Sequence, residues 1–101
     1  MTVYVIAQLK FTDRAAYDRY MAAFPAVFAQ FNGKLLAADE SPRVLEGQWD
    51  RDKVVLMSFP DEASMLAWMN SPAYQEISRD RNAGADCVVL QVAGFGGEER
   101  V

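Results

Sequence analysis

The run Lys53-Val54-Val55-Leu56-Met57-Ser58-Phe59, followed by Pro60-Asp61-Glu62, decides the fold. It is apolar almost without a break, so it predicts a strand with apolar side chains on both faces. Such a strand belongs in the middle of a sheet. Pro60-Asp61-Glu62 then starts a helix whose inner stripe is Met65, Leu66 and Met69. That helix is short, because Ser71-Pro72 restarts the chain, with Ser71 as N-cap and Pro72 as first helical residue. The third helical piece runs to about Ala83, with Gly84 as its stop. Asp86 to Ala93 is the last strand, again apolar on both faces.

Upstream of Lys53, Asp50-Arg51-Asp52 predicts a charged hairpin tip. Val44 to Trp49 predicts a strand that continues Lys34 to Ala38 beyond an irregular Ser41-Pro42. Before these lies a helix. Asp13 is its N-cap, and Tyr17, Tyr20, Met21, Phe24, Val27, Phe28 and Phe31 form its apolar stripe. Pro25 should kink or restart it just after Phe24, and Gly33 should end it. Val3 to Lys10 alternates as a strand, but its outer face carries Tyr4 and Ile6.

The order is β-α-β-β-α-β, the α+β ferredoxin-like arrangement: a four-stranded antiparallel sheet with helices on one face. One domain over residues 1–95 is expected, followed by a flexible tail at 96–101. No segment is left to cover the second sheet face, which carries Tyr4, Ile6 and the apolar strands. A patch of that size calls for a partner, so two copies are expected to pack sheet to sheet as a homodimer.

Composition narrows the function. The chain has 101 residues, 51% hydrophobic and 24% charged, with net charge -4. It has no cluster of basic residues, which argues against nucleic acid. No run of about 18 apolar residues exists to span a membrane. Met1-Thr2-Val3-Tyr4 is not a basic segment leading into an apolar one, so no secretory leader is expected. One cysteine, Cys87, fits a reducing cytoplasm and reads as a packed thiol. Histidine is absent, which removes the commonest general base and every histidine-dependent triad or metal site. Neither a metal nor a nucleotide cofactor is indicated. Gly94-Phe95-Gly96-Gly97 has no following helix to make a phosphate loop.

Arg81 is the residue that asks for an explanation. At 100° per residue it shares a side of its helix with Tyr74, Ile77 and Ser78. An unpaired guanidinium there is costly. Either it is a structural ion pair or snorkelling side chain, or it clamps an anion at the mouth of a pocket. Glu46, beside Gly47 in the expected strand, is the candidate partner or a general base. It reads equally as a solvent-facing strand residue. Tyr17, Tyr20 and Tyr74 lie on inner helical stripes and read first as core, second as pocket wall with Trp49 and Trp68.

The ordered set Asp13-x-x-x-Tyr17-x-x-Tyr20, Leu45-Glu46-Gly47-x-Trp49, Phe59-Pro60 and Ser71-Pro72-x-Tyr74, with Arg81 seven residues later, resembles a known family. It is the dimeric α+β-barrel family known only as a domain of unknown function, number thirteen-thirty. The resemblance runs from Val3 to Gly94. It implies ferredoxin-like subunits joined through their sheets, with recurrent polar positions at Glu46, Ser71, Tyr74 and Arg81 and Tyr17 nearby. The wider superfamily includes cofactor-independent monooxygenases, lactone isomerases and haem-degrading enzymes. The last generally use a histidine ligand, which this chain lacks.

Two functions remain in view. One is a cytoplasmic dimer whose pocket, walled by Tyr17, Glu46, Trp49, Ser71, Tyr74 and Arg81, binds a small carboxylated or aromatic metabolite. If catalytic, it would be a cofactor-free isomerase or oxygenase using Glu46 and Arg81. The other is a non-enzymatic dimerisation or ligand-sensing module in which Arg81 and Glu46 form a structural ion pair.

Overall fold

A computed structural model of the chain describes residues 1–95. The expected tail at 96–101 lies outside the described residues. The elements are β1 (Val3–Phe11), α1 (Arg14–Phe28), β2 (Lys34–Asp39), β3 (Lys53–Phe59), α2 (Glu62–Met69), α3 (Pro72–Gly84) and β4 (Ala85–Ala93). The strands form one sheet in the order β2-β3-β1-β4, and each neighbouring pair is antiparallel. This is an α+β, ferredoxin-like fold.

Strand alternation sets what each face carries. Val3, Val5, Ala7 and Leu9 point to the helices and are buried. In register with them on β3 are Phe59, Met57, Val55 and Lys53. Tyr17, Tyr20, Phe24 and Phe28 of α1, Met65 and Trp68 of α2, and Tyr74 of α3 close over this face. The rings pack closely: Trp68 and Tyr74 have centroids 4.3 Å apart, Phe24 and Phe28 4.9 Å, Phe59 and Trp68 5.4 Å. The opposite face is open. It carries Tyr4, Ile6 and Gln8 of β1, Val54 and Leu56 of β3, and Val88, Leu90 and Val92 of β4. The β3 strand is central, as its composition predicts, but only its helix side is closed within one chain.

Each helix begins where a capping side chain accepts a backbone N–H. Asp13 Oδ1 accepts from Ala16 N at 3.3 Å, Asp61 Oδ1 from Ser64 N at 2.7 Å, and Ser71 Oγ from Tyr74 N at 3.1 Å. Pro25 does not restart α1. The helix runs through it to Phe28, because Phe24 and Phe28 on either side are both buried while Pro25 faces solvent. It ends there rather than at Gly33, and Ala29 N–H donates to Pro25 O at 3.0 Å.

The strand expected over Val44 to Trp49 does not form. Residues 40–52 make a long irregular connection from β2 to β3. Pro42 removes a ladder donor. Gly47 sits at φ 80, outside strand geometry. Val44 and Leu45 remain exposed, Leu45 at 85%. The far end of the connection is tied to β1 instead: Asp52 N donates to Leu9 O at 2.7 Å, and Phe11 N donates to Asp52 Oδ2 at 2.8 Å. Asp50-Arg51-Asp52 is therefore the lead into β3, not a hairpin tip.

Candidate functional site

A cavity of about 40 Å³ lies between the helices and the sheet. Its wall is made by Tyr17, Tyr20, Met21 and Phe24 of α1, Trp68 and Met69 at the end of α2, Tyr74 and Arg81 of α3, and apolar residues of all four strands. It has room for no more than about three water molecules. A larger guest has to displace side chains. Met21 and Met69 are partly exposed and Leu35 is exposed, so the cavity nears the surface beside β2. Two thioethers at that place give an adaptable edge.

The polar groups of this wall form a connected row. Arg81 Nη1 donates to Tyr74 Oη at 3.1 Å, and Tyr74 Oη and Tyr20 Oη are hydrogen-bonded at 3.1 Å. The Tyr17 ring packs against Tyr20 at a tilt of 41°, with centroids 5.7 Å apart. One of the two hydroxyl protons of the Tyr20–Tyr74 pair is used between them. The other has no acceptor among the described residues. Trp68 Nε1 and Arg81 Nε are also buried without an acceptor among them. The lining residues include no Asp, Glu, Asn or Gln. The wall is therefore rich in donors and poor in acceptors. Burial pushes the Tyr20 hydroxyl far above its ordinary range, with neighbouring Tyr74 adding to it. It pushes Tyr17 up to about 12. Both stay protonated, and so remain donors, at neutral pH.

Ser71 acts on this wall through the backbone. Its Oγ donates to Trp68 O at 2.8 Å and caps α3 at Tyr74 N. It thereby fixes the turn that brings the Trp68 and Tyr74 rings together, tilted by 46°. Tyr17, Tyr74 and Arg81 all line the cavity. Glu46 and Trp49 do not. Glu46 is exposed on the 40–52 connection, in a shallow surface depression with Pro42, Trp49 and Val54. Trp49 Nε1 donates to Gln8 Oε1 at 3.0 Å, and Gln8 and Val54 belong to the open sheet face. Glu46 and Arg81 are thus on opposite sides of the sheet, and the expected ion pair is not made within the chain. Among the described residues no carboxylate lies within ion-pair reach of Arg81. Its remaining contact is Nη2 donating to Asn82 Oδ1 at 3.2 Å.

A family model described as a domain of unknown function, DUF1330, matches residues 2–95. The chain belongs to the DUF1330 family. No curated protein matches it. Among solved structures, this DUF1330 chain is similar to a protein of unknown function from Rhodopseudomonas palustris, with TM-score 0.79 and 18% identity over 94% of this chain and 83% of that one. It is similar to a dimeric ferredoxin-like protein of unknown function from Jannaschia sp. CCS1, with TM-score 0.69 and 20% identity over 93% and 100%. It is also similar to SnoaB, a cofactor-independent oxygenase from Streptomyces nogalater, with TM-score 0.69 and 12% identity over 98% of each chain. At these identities the likeness is one of fold.

Lys53 is a residue of this DUF1330 chain that site reasoning from sequence passes over. It is 5% exposed, on the helix side of β3. Its Nζ lies 3.7 Å from Met21 Sδ and 4.9 Å from the centroid of Tyr17, two wall residues. Burial lowers its pKa from the ordinary lysine value. A signal was present: positions 53, 55, 57 and 59 share one strand face, and Met57 and Phe59 mark that face as core. Among the described residues no group of three His, Cys, Asp or Glu is placed to hold a metal ion, and no helix is long and apolar enough to cross a membrane.

Proposed function

We propose that this protein binds a small aromatic carboxylate, or a related molecule with an anionic oxygen, in the cavity beneath α1 and α3. One observation carries the reading: among the described residues, the polar groups of an otherwise aromatic and aliphatic wall are hydrogen-bond donors, headed by an arginine without a carboxylate partner. Arg81 holds the anionic group, and Tyr74 and Tyr20 supply a hydroxyl donor. Tyr17 and Trp68 form the flat apolar sides, and Ser71 fixes the turn that places them. Such donors also favour an oxyanion that develops during reaction, which both enolate isomerisation and cofactor-free oxygenation require. SnoaB, similar in fold, is named as a cofactor-independent oxygenase, which favours the second of these.

The working unit is a homodimer joined through the open sheet faces, consistent with similar proteins described as dimeric. Glu46 and Trp49, on the side of that interface, contribute to the site only through the dimer. The unpaired thiol of Cys87 fits a cytoplasmic setting.

A thermal-shift panel tests the reading. Benzoate, salicylate and indole-3-acetate are compared with their primary amides. The carboxylates are expected to raise Tm and the amides to leave it unchanged, and Arg81→Met is expected to abolish the rise. No shift with any carboxylate, or an equal shift in Arg81→Met, rules the reading out.

A further inference from the structure

Lys53 stands outside the donor row that Arg81 heads. A lysine usually reaches water with its ammonium while burying its stem. Here the whole residue is 5% exposed. Among the described residues the one polar atom within hydrogen-bond reach of Nζ is the Met21 thioether sulfur at 3.7 Å, a weak acceptor, and the Tyr17 ring lies 4.9 Å away. Among the described residues no carboxylate pairs with it. Glu40, whose charge it feels, already accepts from Arg14 Nη1 at 2.8 Å and Nη2 at 2.9 Å. Lys53 has given up its water without gaining an anion. Because Tyr17 and Met21 also line the cavity, the amine sits directly behind the cavity wall. Met21 is partly exposed and unbranched, a side chain that swings aside at little cost.

We infer that Lys53 is a carbonyl-trapping amine, which condenses with a small aldehyde or ketone entering the cavity to form an imine. The new bond joins the carbonyl carbon to Nζ. The carbonyl oxygen leaves as water with two hydrogens, both from the amine, so nothing is oxidised or reduced. The step needs the free base, and a desolvated amine beside aromatic and thioether groups is the setting that supplies it. Burial moves the proton affinity of Lys53 in the required direction. The inference does not rest on anion binding at Arg81, and either can fail without the other.

The chain carries its own controls. Its three lysines are Lys10, Lys34 and Lys53, and the first two are exposed. The wild-type protein is incubated near neutral pH with butanal and sodium cyanoborohydride, which reduces any imine to a stable N-butyl amine. Peptide mapping by mass spectrometry then gives a rate for each lysine. Lys53 is expected to react faster than Lys10 or Lys34, since a lowered pKa raises the free-base fraction near neutral pH. The same comparison in Met21→Ala, which uncovers the amine, is expected to widen the margin. If Lys53 reacts no faster than the exposed lysines in both proteins, the inference is overturned.

Discussion

Arg81 is held by a hydroxyl and an amide rather than by a carboxylate, and that changes what its removal does. Breaking a buried ion pair strands a charge and costs about 3–5 kcal/mol. Truncating Arg81 strands none. Arg81→Met is therefore expected to lower stability by about 1 kcal/mol or less, measured from urea midpoints. A loss of several kcal/mol would instead mark Arg81 as structural. The inward placement of Tyr74 and Arg81 was legible, because helical spacing puts both on one side and Ser71-Pro72 fixes where that helix starts. The partner was not legible. Choosing Glu46 presumed a strand at 44–49, whereas the Trp49–Gln8 hydrogen bond places this segment across the sheet from α3. Lys53 supplies a second prediction at this scale. Its folded-state pKa lies below the unfolded value, so between the two the unfolded chain binds more protons and stability rises with pH. Removing the amine removes that slope. As pH rises toward about 10, wild-type stability should climb relative to Lys53→Met. Above about pH 10 the raised tyrosines act the other way: stability falls as pH rises toward about 12, where Tyr17 titrates in the fold. Parallel urea curves at several pH values read both effects. Identical pH dependence of the two proteins below pH 10 would remove Lys53 from the account.

Helix starts were the best-read features, and the irregular connection was the worst. Asp13 and Ser71 cap as their residue types predict, because an N-cap is a local event of a few residues. Pro25 misled because the penalty for proline in a helix is also local, whereas the burial of Phe24 and Phe28 on either side of it is set by the whole core. Val44 to Trp49 misled because apolar content alone does not make a strand. The ladder needs a neighbour, and β2 already occupies the outer edge of β3. Two predictions belong to α3. Ser71→Ala removes the acceptor for Tyr74 N and the donor to Trp68 O, and is expected to cost about 1–2 kcal/mol in chemical denaturation. Gly84 is needed for a close approach. A Cβ there would lie 2.4 Å from Tyr17 N and 2.8 Å from Asp13 O, both backbone atoms of the α1 start. The Gly84 carbonyl also accepts from Thr12 N and Asp13 N at 2.9 and 3.1 Å. Gly84→Ala must therefore push α3 away from α1, at about 1–3 kcal/mol. Tyr17 and Arg81 sit on the two displaced helices, so the variant should also weaken any carboxylate-dependent Tm shift. An unchanged urea midpoint for Gly84→Ala would show that the two helices are not in contact as described.

At the scale of the molecule the open sheet face is the surface through which the proposed dimer would join. Its middle row crosses all four strands: Ala37 opposite Leu56, Leu56 opposite Ile6, Ile6 opposite Leu90. Every member is apolar. The rows on either side are mixed, with Asp39 and Gln8 in one and Lys34 and Ser58 in the other. An apolar centre with a polar rim is the anatomy of an interface rather than of a solvated surface. A two-fold axis near the Ile6 row would bring that row against its own copy, and the polar rows would ring it. The surplus of apolar residues on this face was visible in the sequence as strands without alternation. Which residues form the central row was not, because that depends on register across three strand pairs. Leu90 is the member to change, since at 46% exposure a charge there costs the isolated chain little. In a sheet-to-sheet dimer the same charge would be buried beside its symmetry mate without a counterion. By light scattering the wild type is expected at twice the 11.3 kDa of one chain, and Leu90→Glu at the mass of one chain with its far-UV spectrum intact. A folded Leu90→Glu protein that remains dimeric would place the contact elsewhere, and a wild type at one chain's mass would leave the apolar row without an occupant of its own kind.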